Sequence, residues 1–424
     1  MKKPLALLLV LLLALPGCSA EDAEDIAGAA VSPPASASAG SDPETAAPPA
    51  EDGADSGNAA DSEEPADGED PEDPEDSEDS ETTEDPGTAE DGWQLDDPAN
   101  HDLDPTVFAA MHAALPAADI HAVVTTKDGM LVDEYYAGGY DADSLFAIQS
   151  ASKSFTGALV GIALEEGYLG SIDDPIGNYL PQVAALEDTR KQRITLRHLL
   201  TQTSGLEWYE WGGGYTNWGE FRSADNWVDY ILGRALVAEP GTRFTYSTGN
   251  THLLAAILQA ATGRTMADYC EEKLFEPMGI ETAYWGSDPQ GITDGGNGLV
   301  ISARDAAKFG QLYLDGGVWR GQQLVPADWV TASITAQNGG AGDNTGAYGY
   351  QWWMRSFTTG SYNNYVTPYP TASYEVPFAF GYAGQFIHLV PALDMVVVFT
   401  ASCENAYLPR HYLADYVLNA YMGR

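Results

Sequence analysis

Ser150-Ala-Ser-Lys153-Ser-Phe-Thr-Gly-Ala-Leu-Val-Gly-Ile-Ala-Leu164 is the stretch on which the reading of this chain turns. The run from Phe155 to Leu164 is apolar and helix-like, and Ser150 and Lys153 stand where a loop becomes that helix. Residues three apart on a helix share a face, so the Lys153 amine can reach the Ser150 hydroxyl. The helix N-terminus adds unpaired backbone N–H groups and partial positive charge at the same place. A serine hydroxyl is a poor nucleophile until a base takes its proton, and a partly buried lysine with a lowered pKa can be that base. Four residues alone are a weak signal, because the same spacing arises by chance in solvated first turns. The rest of the chain supplies the context.

The 424-residue chain opens with Met1-Lys-Lys3, an apolar run from Leu5 to Leu15, and Leu15-Pro-Gly-Cys18. This order predicts an export signal over residues 1–17, too short to cross a bilayer as a mature helix. Leu-x-Gly-Cys is similar to a bacterial lipobox, which implies lipid on Cys18. The expected location is the bacterial cell envelope, lipid-anchored on the outer face of the membrane. From residue 19 to 92 the chain holds 26 acidic residues and no lysine or arginine. Like charge with few apolar side chains cannot offset chain entropy, so residues 18–92 are expected to form a lipidated, disordered acidic linker. The linker explains more than half of the formal net charge of −44. The remainder is still acidic, which argues against nucleic acid as a partner and leaves the lipid anchor as the only membrane contact.

Residues 93–424 are expected to fold. Cys270 and Cys403 form either a disulfide, which export permits, or two buried thiols. The seven histidines are scattered and read as structural, and no His, Cys or carboxylate spacing resembles a metal site, so neither metal nor cofactor is expected. Helices are expected from Asp104 to Leu115, Thr195 to Leu200, Asn250 to Ala261, Met266 to Phe275, Ala303 to Asp315 and Pro409 to Tyr421. Ile120 to Thr126 and Met130 to Tyr136 read as strands around a Lys127-Asp-Gly129 turn, and Phe386 to Val390 and Met395 to Thr400 as another pair. Strands at both ends of the region with a helix-rich middle predict an α+β fold: an antiparallel sheet flanked by helices, plus a mostly helical lobe.

Tyr246-Ser-Thr248 falls where a strand-like run meets a helix. A tyrosine beside a cationic lysine can have its pKa lowered, and a phenolate can accept and return protons. Gly381-Tyr382-Ala383-Gly384-Gln385 precedes the last two strands, where glycines let a substrate backbone approach. Together with Leu199-Leu-Thr-Gln-Thr-Ser-Gly-Leu206, Glu276-Pro-Met-Gly-Ile280, Gly298-Leu-Val-Ile-Ser302 and Tyr348-Gly-Tyr-Gln-Trp-Trp353, these stretches resemble the serine β-lactamase and penicillin-binding superfamily. The likeness is to its class C-like branch, which includes family VIII esterases and 6-aminohexanoate-dimer hydrolases. It spans about Ile120 to Thr400 and implies a β-lactamase/transpeptidase-like fold. It also implies Ser150 as nucleophile, Lys153 as its base and Tyr246 as proton relay. The backbone amides of Ser150 and Gln385 would form the oxyanion hole, with Tyr382, Ala383 and Gly384 as the third motif. The expected partner is a small ester or amide.

Two positions depart from the family pattern. Thr248 stands where β-lactamases usually have Asn, and Tyr382 where the third motif usually begins with Lys or His. A cation there matches the carboxylate of a β-lactam, so neutral Tyr382 shifts the expectation toward esters and short linear amides. The alternatives are a β-lactamase or D-alanyl-D-alanine carboxypeptidase-like enzyme, and an inactive envelope-anchored binding protein. Thr245-Tyr-Ser247-Thr-Gly249 imitates a nucleophile elbow but lacks the glycine that motif needs before Tyr246. Within the Trp- and Tyr-rich loop from Glu207 to Phe221, Trp208, Tyr209 or Trp211 is expected to line an apolar pocket beside Thr248. Glu207 and Glu210 read as solvated rim charges, with selection of a cationic substrate group as the alternative for either.

Overall fold

Asp128 and Gly129 both adopt left-handed backbone (φ 53° and 76°), as a two-residue hairpin turn requires. They join strand β1 (Ile120–Lys127) to β2 (Met130–Tyr136), with Lys127 opposite Met130. The computed structural model describes residues 87–423, apart from 90, 211–215, 282, 343–344 and 363–364. The signal segment, Cys18, the acidic linker as far as residue 86, and Trp211 lie outside the described residues. Hydrogen bonding is already present at Gly87, whose carbonyl accepts from Leu95 N at 2.8 Å. The expected boundary at 93 therefore falls inside a tight turn that leads Trp93 into the core.

Six further strands complete one antiparallel sheet: β3 (Asn338–Gly342), β4 (Gly346–Tyr348), β5 (Trp353–Thr358), β6 (Ser373–Gly381), β7 (Gln385–Val390) and β8 (Met395–Ala401). Their spatial order is β2-β1-β8-β7-β6-β5-β4-β3, so the first hairpin pairs with the last strand, Val124 opposite Val398. Side chains alternate across a strand. Ile387, Leu389, Val396 and Val398 enter one core, while Phe386, Val390, Val397 and Phe399 enter another on the opposite face. Both faces being covered explains why these strands read as unbroken apolar runs.

Helix α1 (Pro105–Ala114) and the C-terminal helical segments contribute to the second core. On the first face, α2 (Ser152–Glu165), α3 (Thr248–Thr262) and α4 (Ala303–Leu314) build the core, with Phe155 of α2 stacked on Phe309 of α4 at 3.6 Å between ring centroids. Gly161 in α2 admits Trp329, since a Cβ there would stand 2.3 Å from the indole Cδ1. The close approach offsets the poor helix propensity of glycine.

Three expectations need correction. The helix expected from Met266 to Phe275 is an α-turn (Met266–Cys270) followed by a π-turn (Glu271–Phe275). Residues 243–247 form no strand, so Tyr246 reaches the site on irregular backbone, held where Thr245 N donates to Gln202 O at 2.8 Å. The helix expected from Pro409 to Tyr421 is an α-turn (Leu408–Tyr412), a π-turn (Leu413–Val417) and a 3-10 turn (Leu418–Ala420). Strands β3 to β6 carry Gly, Tyr and Thr without clear alternation, which hid most of them from a periodicity reading. The cysteine question is also settled: both thiols are free, Cys270 in the first core and Cys403 in the second.

Candidate active site

Ser150 sits in the 3-10 turn Gln149–Ala151 that leads directly into α2. Gln149 holds a left-handed φ of 51°, a conformation that costs a side-chain-bearing residue about 1 kcal/mol and bends the chain at Ser150. Ser150 is 6% exposed and Lys153 1%. One turn apart, they meet: Lys153 Nζ lies 3.0 Å from Ser150 Oγ. The same amine lies 2.9 Å from Thr248 Oγ1 and 2.6 Å from the Gly296 carbonyl oxygen. Burial pulls its pKa down to about 8, while the negative charges of Glu210 and Asp294 pull the other way.

Tyr246 brings its ring beneath this amine, 5.0 Å from Nζ to the ring centroid. It is wedged against Trp353 and Tyr348. The expected lowering of its pKa is reversed. Burial and the neighbouring Tyr348 and Glu210 push it well above the ordinary phenol value, although a hydrogen bond with Ser150 acts in the other direction. The resting group is a neutral phenol, a proton donor rather than a phenolate.

The third motif forms the turn between β6 and β7, with Gly381 opposite Gln385. Ala383 and Gly384 take left-handed backbone (φ 63° and 99°), and the Ala383 carbonyl is fixed by Cys403 N at 3.0 Å. A Cβ on Gly381 would stand 2.2 Å from the Ile148 carbonyl oxygen, so glycine lets β6 lie against the turn that carries Ser150. Gln385 is tied to β8 through its side chain, donating to Ala401 O and accepting from Ala401 N at 3.2 Å.

A cleft of about 340 Å³ opens over Ser150, lined by Gln149, Ser150, Glu210, Thr216, Trp218, Asn297 and Tyr382. Trp208 and Tyr209, two of the pocket residues expected from the sequence, are placed differently. Trp208 is buried against Phe221 and Tyr230, and its indole N–H donates to Glu210. Tyr209 is exposed and absent from the described cleft wall, whose aromatics are Trp218 and Tyr382. Glu207 pairs with Arg234 at 2.6 Å. Glu210, read from the sequence as a solvated rim charge, is 7% exposed and turned inward. Its carboxylate accepts from Trp208 Nε1, from Thr248 N at 2.8 Å and from the Thr248 hydroxyl.

Thr248 thus makes the lysine contact at the position where the family pattern has Asn. Asn250, two residues on, does not replace it: its amide donates to Gln202 Oε1 at 2.9 Å. Ser247 accepts from Asn250 N at 3.1 Å and caps α3, which is a structural use of the hydroxyl. Gly296, Asn297 and Asp294 escaped sequence reasoning. The one available signal was the Gly295-Gly296 pair. A Cβ at Gly296 would meet Thr248 Cγ2 at 2.7 Å, and its absence lets the carbonyl reach Lys153.

The profile of the beta-lactamase family matches residues 104–422, nearly all of the described region. The chain belongs to the beta-lactamase family. It is similar to the 6-aminohexanoate-dimer hydrolase of Paenarthrobacter ureafaciens, 26% identical over 334 residues that cover 72% of this chain and 80% of that protein. Among solved structures, EstCE1, a hydrolase with promiscuous acyltransferase activity, superposes with a TM-score of 0.59 at 17% identity, covering 75% of this chain and 98% of that one. A class C beta-lactamase from Rhodobacter sphaeroides gives 0.53 at 21% identity, covering 72% and 97%. These two likenesses concern the fold. Membership accounts for the antiparallel sheet, the flanking helices and the order of the motifs along the chain.

Proposed function

We propose that this member of the family is a serine hydrolase that cleaves a carboxylic ester or short linear amide through an acyl-enzyme on Ser150. The carrying observation is the buried Lys153 amine 3.0 Å from Ser150 Oγ at the base of the cleft. In this reading Lys153 takes the Ser150 proton as the oxygen attacks the carbonyl carbon. The backbone amides of Ser150 and Gln385 receive the developing oxyanion. Tyr246, a neutral phenol, gives its proton to the departing alcohol or amine and regains one from the Lys153 ammonium. Water then attacks the acyl group, its proton passes back through the same residues, and the acid leaves as Ser150 is restored.

The cleft wall supports the choice of substrate. Its described lining contains the carboxylate of Glu210 and no lysine or arginine, and Tyr382 is neutral. A β-lactam carboxylate would meet negative charge there with no cation to answer it. Export and lipidation at Cys18 belong to the same proposal, resting on the basic start, the apolar run and Leu15-Pro-Gly-Cys18.

The test compares p-nitrophenyl esters of short acids, a linear aminohexanoate amide and a chromogenic cephalosporin, with Ser150→Ala as control. Ester or amide turnover should fall by at least about 10³-fold in the variant, with slow cephalosporin cleavage in the parent. Efficient cephalosporin cleavage would move the assignment to a β-lactamase, and turnover that survives in Ser150→Ala would remove Ser150 as nucleophile.

A further inference from the structure

We propose that Glu210 is a positioning residue of the hydrolytic centre: acting through the Thr248 hydroxyl, it turns the lone pair of Lys153 toward Ser150. The proposal rests on the reading of Ser150 as nucleophile and Lys153 as base. Its argument is a count of protons. A carboxylate only accepts hydrogen bonds, so the Thr248 proton is committed to Glu210. The Thr248 oxygen is then left to accept, and its donor is Lys153 Nζ at 2.9 Å. The Gly296 carbonyl, 2.6 Å from the same nitrogen, is also an acceptor only. A neutral amine has two N–H bonds and one lone pair. With both N–H bonds directed at Thr248 and Gly296, the lone pair faces the remaining neighbour, Ser150 Oγ at 3.0 Å. The amine is therefore aimed before substrate arrives, and the proton it accepts from Ser150 completes the ammonium.

Glu210 is itself held for this task. Trp208 Nε1 and Thr248 N both donate to Oε2, which leaves Oε1 to the Thr248 hydroxyl. Charge acts alongside direction. The charged groups acting on Lys153 are Glu210 and Asp294 (itself paired with Arg222), and the phenol ring of Tyr246 lies beneath the amine. Glu210 and Asp294 both favour the ammonium and so oppose the effect of burial. Removing the Glu210 charge should lower the Lys153 pKa further.

Glu210→Gln separates positioning from mere packing. Two N–H donors fix oxygen at the Oε2 place, so the new amide nitrogen must sit against Thr248 and donate to it. The Thr248 proton then turns to Lys153 and occupies the lone pair. Ester hydrolysis should lose about 100-fold or more in kcat with KM little changed, and the acid limb of the remaining activity should move down by about one pH unit. Thr248→Val should lose a similar factor, while Thr248→Ser, which keeps the hydroxyl, should stay within about threefold of the parent. The proposal is overturned if Glu210→Gln keeps parental kcat, or loses it with the acid limb unmoved. Should Glu210→Gln fail to fold, as judged by circular dichroism, equal activity of the Val and Ser variants at 248 overturns it instead. Activity in Ser150→Ala would overturn the underlying reading rather than this one.

Discussion

Lys153 shows how a single buried side chain sets the working range of a centre. Taken out of water, the ammonium loses hydration, and the pKa falls to about 8 despite two nearby carboxylates. Only the neutral amine can take the Ser150 proton. Ester hydrolysis, followed as kcat/KM, is therefore expected to rise with pH through about 8 and level off above it. A profile already flat at pH 6 would show that Lys153 is not the base. The Ser150–Lys153 pairing was legible in the sequence, because a spacing of three on a helix is a local geometric fact. Glu210 was not. It stands 38 positions before Thr248, and nothing in Glu207-Trp-Tyr-Glu210 tells which carboxylate faces solvent and which turns inward. The same holds for Tyr246, whose pKa depends on burial and on neighbours from distant parts of the chain.

At the scale of elements, the turn chemistry and caps behaved as residue types predict, and the irregular pieces did not. Lys127-Asp-Gly129 closes its hairpin, and Thr195 caps Leu196–Leu200 by accepting from His198 N. Ser247 caps α3 in the same way, which gives the serine of the elbow-like stretch a structural use. Ser247→Ala is expected to lower stability by about 1 kcal/mol, read as a reduced melting temperature, while labelling by a fluorophosphonate probe survives. Lost labelling in a folded Ser247→Ala protein would revive the elbow reading. The π-turns at Glu271–Phe275 and Leu413–Val417 have no local signature, since the residues that form them would also suit an α-helix. Strands β3 to β6 were equally hard to read, because the neighbouring strand, not the pattern of their own side chains, defines most of them.

At the scale of the whole molecule, the described region carries the family match, and the proposed role of the N-terminal residues is tethering. If Cys18 is lipidated, an alkyne-bearing fatty acid fed to an expressing bacterial host should label the full chain and not Cys18→Ala, which should appear in the soluble fraction. Equal labelling of both would remove the anchor. Within the folded region the first hairpin closes on the last strand, so residues nearly three hundred positions apart share one sheet. By itself the sequence determined the α+β class, the family, the spacing that brings Lys153 to Ser150, and the neutral third motif at Tyr382. These rest on local spacing, turn chemistry and the order of motifs, all of which survive without coordinates. Only the tertiary structure decided that Trp218 rather than Trp208 or Tyr209 faces the cleft, that Thr248 meets Lys153, and that Glu210 stands behind Thr248. Those outcomes depend on which faces of separate elements come together, and packing between elements sets that, not the pattern within any one of them.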